Sequence, residues 1–150
     1  MPDGLKESVA CVIRRSERPS ELLAVLRPED DAELPGVWGL PAASRRPGES
    51  WEDAVARVGR DKLGATLRPG RLLAQGDETR PGYRLRMRLY EAELGDGEPE
   101  VPQPVEGVTQ YAAWCWAERA FLEPGARQGS LCCRLYLETH PGARRPHETE

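Results

Sequence analysis

The stretch from Trp38 to Ala65 holds the residues whose types and spacing could do chemistry. Its sequence, WGLPAASRRPGESWEDAVARVGRDKLGA, runs from a strand-like entry through a proline-marked loop to Gly48-Glu49 and then a helical pattern. Such a loop leads into a helix N-terminus, where outward-pointing backbone N–H groups favour an anion such as a phosphate. The stretch therefore predicts a loop and helix suited to binding phosphate.

A second candidate for phosphate binding is an arginine stripe on a later strand. Residues 83–94 alternate between apolar and polar side chains, which places Arg84, Arg86 and Arg88 on one face of the strand. Arginine suits phosphate oxygens, so the stripe could contact a substrate. The alternative interpretation is a solvated face whose arginines pair with nearby acids.

The helix that must position the first group is predicted over Glu49–Leu63. Ser50 can cap its N-terminus, and Gly64 is a plausible stop at its C-terminus. Gly59 is unexpected inside it, because an interior glycine costs about 0.5–1 kcal/mol relative to alanine. Apolar residues at helical spacing form one face: Trp51, Ala54, Val55 and Val58.

Strand-like segments lie on both sides of this helix. They are Glu7–Arg15, Glu21–Leu26, Val37–Leu40, a strand beginning at Leu72–Gln75, Tyr83–Leu94 and Val108–Trp116. The short turn between the first two favours an antiparallel hairpin. A helical turn near Ala117–Leu122 and a helix over Ser130–Thr139 follow. This order favours an α/β fold, with a mixed sheet and helices packed on its faces.

Length, charge and hydropathy exclude several classes of protein. A chain of 150 residues fits a single domain, with a core over about 5–140 and a flexible tail over 141–150. The net charge of −4 argues against general nucleic-acid binding. No apolar run approaches the roughly 18 residues of a membrane span, and no signal peptide opens the chain, so we expect a cytoplasmic protein without membrane contact.

The central stretch resembles the Nudix (MutT-like) family. The family's box reads G-x5-E-x7-R-E-U-x-E-E-x-G-U, where U is aliphatic, and W-x-L-P-G often precedes it. The matching residues are Trp38, Leu40 and Pro41 in the lead-in, Gly48-Glu49, Arg57 and Gly64 in the box, and Ala54 where the family usually has alanine. The strand order matches as well. The resemblance implies a Nudix-like α/β/α sandwich around a mixed β-sheet.

The departures from the family pattern fall on the residues that carry its chemistry. Ala42 and Ala43 stand at the positions of two loop glycines. In place of three glutamates the box has Val58, Asp61 and Lys62, which share one face at α-helical spacing. In the family that face is a cluster of carboxylates that binds Mg²⁺ or Mn²⁺. One aspartate beside an ammonium group is a poor site for magnesium, which prefers hard oxygen ligands.

The resemblance also assigns roles to single residues. Glu49 and Arg57 would pair and brace the loop, while Asp61 would be the remaining catalytic carboxylate. A weaker metal site could use Asp61, Glu49 and Glu106, the last by its position in the loop before the final strand. Alternatively, Lys62 would supply to a bound phosphate the positive charge that a metal supplies in the family.

These roles lead to one main interpretation and two alternatives. The main one is a Nudix hydrolase homologue for a nucleoside diphosphate linked to another group, with a degenerate metal site and weak or absent catalysis. It would need Mg²⁺ or Mn²⁺ if active, and no cofactor otherwise. The first alternative is a non-catalytic module that binds a nucleotide or another phosphate-containing metabolite. The second is an interaction protein, since sheet edges could pair two copies as a homodimer.

Overall fold

A computed structural model describes residues 4–141 of the chain. The strands are β1 (Gly4–Val12), β2 (Arg14–Arg15), β3 (Arg18–Leu26), β4 (Trp38–Gly39), β5 (Ala42–Ser44), β6 (Leu67–Arg80), β7 (Tyr83–Leu94) and β8 (Ala113–Ala117). The helices are α1 (Trp51–Val58), its π-helical continuation (Gly59–Leu63), a 3₁₀ turn (Arg119–Leu122), α2 (Glu123–Arg127) and α3 (Leu131–Thr139). Apart from Pro141, the predicted tail lies outside the described residues.

The strands form two sheets, and the larger one is mixed as predicted. Its order is β5-β1-β7-β6, in which β1 and β7 run parallel and the two outer pairs are antiparallel. The second sheet is built around β3, which pairs antiparallel with β2, β4 and β8. Strand β5 was expected to be loop, but its three residues pair with β1. This pairing holds the entry to α1 against the centre of the larger sheet.

Alternate residues of β1 face two apolar clusters on opposite sides of the larger sheet. Val9 and Cys11 belong to a cluster that includes the buried face of α1. Ala10 and Val12 belong to a second cluster that includes the buried face of α3. This period-two pattern explains why the β1 segment reads as a continuous apolar run, since a strand covered on both faces has no polar side. The predicted α/β/α sandwich around a mixed sheet is confirmed.

Only the part of the predicted hairpin next to its turn is present, where the short β2 pairs with β3. The segment Glu7–Arg15 divides into β1 and β2, and only β2 pairs with β3, with a register shift between Arg14 and Arg15. The final strand begins at Ala113 instead of Val108. In residues 4–141, no helix is long and apolar enough to cross a membrane.

Candidate functional site

The loop before α1 is held by an ion pair between Glu49 and Arg57. The Arg57 Nε and Nη2 atoms donate to the two carboxylate oxygens at 2.8 and 3.0 Å, and Nη2 also donates to the Ser44 carbonyl oxygen at 2.6 Å. The backbone N–H of Arg46 donates to the same carboxylate at 2.9 Å. The hydrogen bonds from Arg57, with that from Arg46, lower the pKa of Glu49 to about 2. These contacts are the bracing that the resemblance implied.

The helix is predicted over Glu49–Leu63; α1 begins at Trp51, with Ser50 as its N-cap, and its π-helical continuation ends at Leu63. The Ser50 hydroxyl accepts a hydrogen bond from the Asp53 N–H at 3.0 Å, and Gly64 ends the helix in the left-handed conformation at φ 58°. The last turn, however, is π-helical from Gly59 onward. A Cβ atom on Gly59 would lie 2.6 Å from the Ala65 carbonyl oxygen and 2.8 Å from Leu67 Cγ. Close packing against β6 therefore explains a glycine that helix propensity disfavours.

The π-helical turn separates the three positions that α-helical spacing predicts on one face. Val58 is fully buried in the α1 cluster. The Asp61 side chain is 14% exposed, and its nearest cation is the exposed Arg60, with Nε and Oδ1 3.4 Å apart. Lys62 points elsewhere, across β5. A carboxylate introduced by Val58→Glu would thus enter the core instead of joining Asp61.

Lys62 extends over the start of β5. Its Nζ donates to the Ala42 carbonyl oxygen at 2.7 Å and lies 5.0 Å from the centre of the Tyr111 ring. Burial, with the positive charges of Arg27 and Arg57, lowers the pKa of Lys62 to about 8 from its ordinary value near 10.5. The side chain is mostly an ammonium at pH 7, so the β5 entry carries a fixed positive charge.

Tyr111 contacts the same residue of β5 as Lys62 does. Its hydroxyl accepts from the Ala42 N–H at 2.8 Å and donates to the Ala42 carbonyl oxygen at 3.1 Å. Burial raises the pKa of Tyr111, so the phenol stays neutral. Ala42 O thus receives both the Lys62 ammonium and the Tyr111 hydroxyl. The two side chains come from segments far apart in sequence, and together they fix the position of Nζ.

The Lys62 ammonium lies at the wall of a cleft between the two sheets. The cleft has a volume of about 200 Å³, and its ionisable lining comprises four basic side chains, one carboxyl group, two tyrosines and a thiol: Lys6, Arg27, Lys62, Arg80, Glu33, Tyr83, Tyr111 and Cys132. Arg27 is paired with Asp31 at 3.1 Å, and Arg80 with Glu78 at 2.5 Å. Lys6 Nζ instead lies 4.9 Å from the centre of the Tyr83 ring. The lining therefore carries an excess of positive charge, suited to an anion.

The side chains at this site do not fit a divalent ion. Residues 4–141 contain no group of three or more His, Cys, Asp or Glu side chains that could hold one. Both carboxylate oxygens of Glu49 already accept from Arg57, and Glu106 is exposed in the loop before β8. The carbonyl oxygen of Ala42 already accepts a hydrogen bond from the Lys62 ammonium, and this positive charge would repel a metal ion.

The arginine stripe lies away from the cleft. Leu85 and Met87 line the cleft, while the arginines occupy the opposite face of β7. Arg84 and Arg86 both pair with Asp77, at 2.8 and 3.0 Å. Arg88 donates to Gln75 at 2.8 Å and stacks over the Trp51 ring at 4.4 Å. The structure does not bring the stripe together with Lys62, and its pairing matches the alternative interpretation of a solvated face.

Many solved structures resemble this chain, whereas no family model and no curated protein sequence matches it. A Nudix hydrolase from Nitrosomonas europaea superposes with a TM-score of 0.70 at 20% identity, over 97% of this chain and 93% of its own. A MutT Nudix hydrolase from Burkholderia pseudomallei superposes with a TM-score of 0.66 at 26% identity, over 79% of this chain and 86% of its own. The chain has the Nudix fold. An ADP-ribose pyrophosphatase from Streptococcus suis shares the fold. Its TM-score is 0.57 at 16% identity, over 90% of this chain and 82% of its own.

The sequence analysis found one side of the Nudix cleft and missed the other. Lys62 is a candidate because it stands where the family's box has a glutamate, and the resemblance suggests that its charge could replace that of a metal. The opposite lining, which includes Lys6, Arg27, Arg80 and Tyr111, lies on β1, on β6 and in the loops that flank the second sheet. These residues share no local motif. The one signal in the sequence is the scarcity of lysine, since both lysines of the chain line the cleft.

Proposed function

We propose that the cleft binds a small molecule that carries a nucleoside diphosphate or a similar phosphate group. Lys62 supplies the positive charge to the phosphate, and hydrolysis is weak or absent. The observation that carries this proposal is the Lys62 ammonium, fixed 2.7 Å from the Ala42 carbonyl oxygen at the wall of a basic cleft. A Nudix-fold neighbour named an ADP-ribose pyrophosphatase supports nucleotide-linked ligands as the class to test.

Each basic residue of the cleft has a distinct part in this binding. Arg27 and Arg80 are held by Asp31 and Glu78, so they present partly neutralised guanidinium groups in fixed orientations. Lys6 and Lys62 form no ion pair within the described residues, so their charge is available to a ligand. An ammonium acts as a point charge, which satisfies one or two phosphate oxygens without imposing octahedral geometry. Binding in this form requires no metal.

Calorimetry with ADP and ADP-ribose tests the proposal, once in EDTA and once with Mg²⁺. We expect similar affinity in both buffers. Lys62→Met should weaken binding roughly tenfold or more, because a hydrogen bond to a charged group is worth about 1.5–3 kcal/mol. The matched control is Arg60→Met, which removes a neighbouring charge from a side chain that is 68% exposed. Binding that disappears in EDTA would contradict the proposal.

A residual hydrolase is the alternative, and Asp61 favours it. Its carboxylate keeps some exposure, and it pairs with the exposed Arg60. A panel of nucleoside triphosphates, ADP-ribose, sugar nucleotides and dinucleoside polyphosphates, with Mg²⁺ and with Mn²⁺, would detect turnover. Metal-dependent turnover that Asp61→Ala abolishes and Arg60→Met preserves would select the hydrolase over the binding module.

A further inference from the structure

The distribution of lysine in this chain is unusual. Of its 21 basic residues, 19 are arginines and only two are lysines. Both lysines, Lys6 and Lys62, line the same cleft. Arginine would carry the same charge at either position. A primary amine differs from a guanidinium in that it can lose its proton near neutral pH and attack a carbonyl carbon.

The surroundings of Lys62 favour the uncharged amine more than those of an ordinary surface lysine. Its side chain is desolvated against Ala42 and the Tyr111 ring. The cations Arg27 and Arg57 disfavour a third positive charge there, while Asp31 and Cys11 act in the opposite direction. With a pKa of about 8, half of the Lys62 amine is neutral at pH 8. An ordinary lysine with a pKa near 10.4 is neutral in only about 0.4% of molecules at that pH.

The cleft also holds groups that would place a phosphorylated ligand beside this amine. Lys6, Arg27 and Arg80 supply positive charge, and Ser8, Ser44 and Thr109 supply hydroxyl donors. Arginine and lysine both bind phosphate oxygens, and neither guanidinium can compete with Lys62 as a nucleophile. Anchoring one end of a ligand raises the effective concentration of a reactive group at its other end.

We propose that Lys62 captures a phosphorylated aldehyde in this cleft as an imine. The lone pair of the neutral Nζ adds to the carbonyl carbon, and one amine proton passes to the carbonyl oxygen to give a carbinolamine. The second amine proton leaves with that oxygen as water when the C=N bond forms, so no oxidant or reductant is needed. Reducing sugars attached to a phosphate or diphosphate belong to this class, because their open-chain form carries an aldehyde. The inference rests on the proposed function, since it requires a phosphate to bind in the cleft.

Pyridoxal 5′-phosphate is a suitable probe, because it joins a phosphate to an aldehyde. The full chain is incubated with the probe at pH 8, reduced with borohydride to fix the imine, and mapped by peptide mass spectrometry. Arg60→Lys places a solvent-exposed lysine two residues from Lys62 and so provides an internal reference. We expect more than about tenfold higher labelling at Lys62 than at position 60, given the difference in neutral amine. Pyridoxal without its phosphate should label Lys62 far less.

Lys62→Arg removes the nucleophilic amine, so it should abolish the adduct at this position. Labelling that is equal at both lysines, or equal with pyridoxal and its phosphate, would overturn the inference. ADP binding in the same preparation separates the two proposals. ADP binding without an adduct at Lys62 overturns only the imine, whereas absence of ADP binding overturns the proposed function, and the imine with it.

Discussion

Two basic residues of the helix over Trp51–Leu63 use their positive charges in opposite ways. Arg57, in the last turn of α1, directs its guanidinium back to the loop before the helix, where it donates to the Glu49 carboxylate and the Ser44 carbonyl oxygen. At the C-terminal end, Lys62 points its ammonium toward a cleft and pairs with no carboxylate in residues 4–141. The first arrangement holds the loop in shape. The second leaves an ammonium group without a carboxylate partner, and this is the charge that the proposed ligand would use.

The largest effect is expected from the loss of Arg57. Arg57 is 5% exposed, and Arg57→Met leaves the Glu49 carboxylate and the Ser44 carbonyl oxygen without their partner. Removing one member of a buried pair costs about 3–5 kcal/mol, measured as the loss in unfolding free energy in urea. Arg60→Met, which removes an exposed arginine, should cost less than about 1 kcal/mol. Equal losses of unfolding free energy in the two variants would mean that the Glu49–Arg57 ion pair stabilises the fold no more than an exposed ion pair does.

At the C-terminal end, the expected effect is a gain in stability with rising pH. The folded pKa of Lys62 lies near 8, below its ordinary value near 10.5, so the unfolded chain binds more protons between these two values. The unfolding free energy should therefore rise from pH 8 to 10.5 by up to about 2–3 kcal/mol from this group. Comparing wild type with Lys62→Met across that range isolates the contribution. If the difference in unfolding free energy between the two proteins did not change with pH, Lys62 would have the pKa of a solvent-exposed lysine, and the prediction would be wrong.

Gly59 lies between Arg57 and Lys62, at the point where α1 changes to the π-helical turn. Helix propensity predicts that Gly59→Ala stabilises the helix by about 0.5–1 kcal/mol. Contact with Ala65 O and Leu67 predicts the opposite, a loss of about 1–2 kcal/mol from overpacking. Thermal or urea unfolding decides between them. Gly4→Ala is the control, since a Cβ there meets no atom within 4 Å. A stabilised Gly59→Ala variant would show that the π-helical turn is dispensable.

The sequence predicted the Glu49–Arg57 ion pair better than it predicted the cleft, because the ion pair is local and the cleft is not. Glu49 and Arg57 lie on one loop and helix, so their spacing alone brings them together, and Ser50 and Gly64 act within one turn of their own positions. The π-helical turn depends on packing between Gly59 and β6, which no local pattern records. The cleft joins residues from segments that are far apart in the sequence, from Lys6 to Cys132. Only the fold that the Nudix resemblance implied could have located them.

The smallest effect is expected from the arginine stripe, and it sharpens the contrast between paired and available charge. Arg86 forms two hydrogen bonds with Asp77, at 3.0 and 3.1 Å, on the face of β7 opposite the cleft. Because its charge is already paired and lies near solvent, Arg86→Gln should lower the unfolding free energy by less than about 1 kcal/mol. ADP affinity, measured by calorimetry beside Lys62→Met, should be unchanged. A loss of affinity as large as that of the lysine variant would move the phosphate site to the stripe, and would leave the Lys62 ammonium as a structural contact of β5.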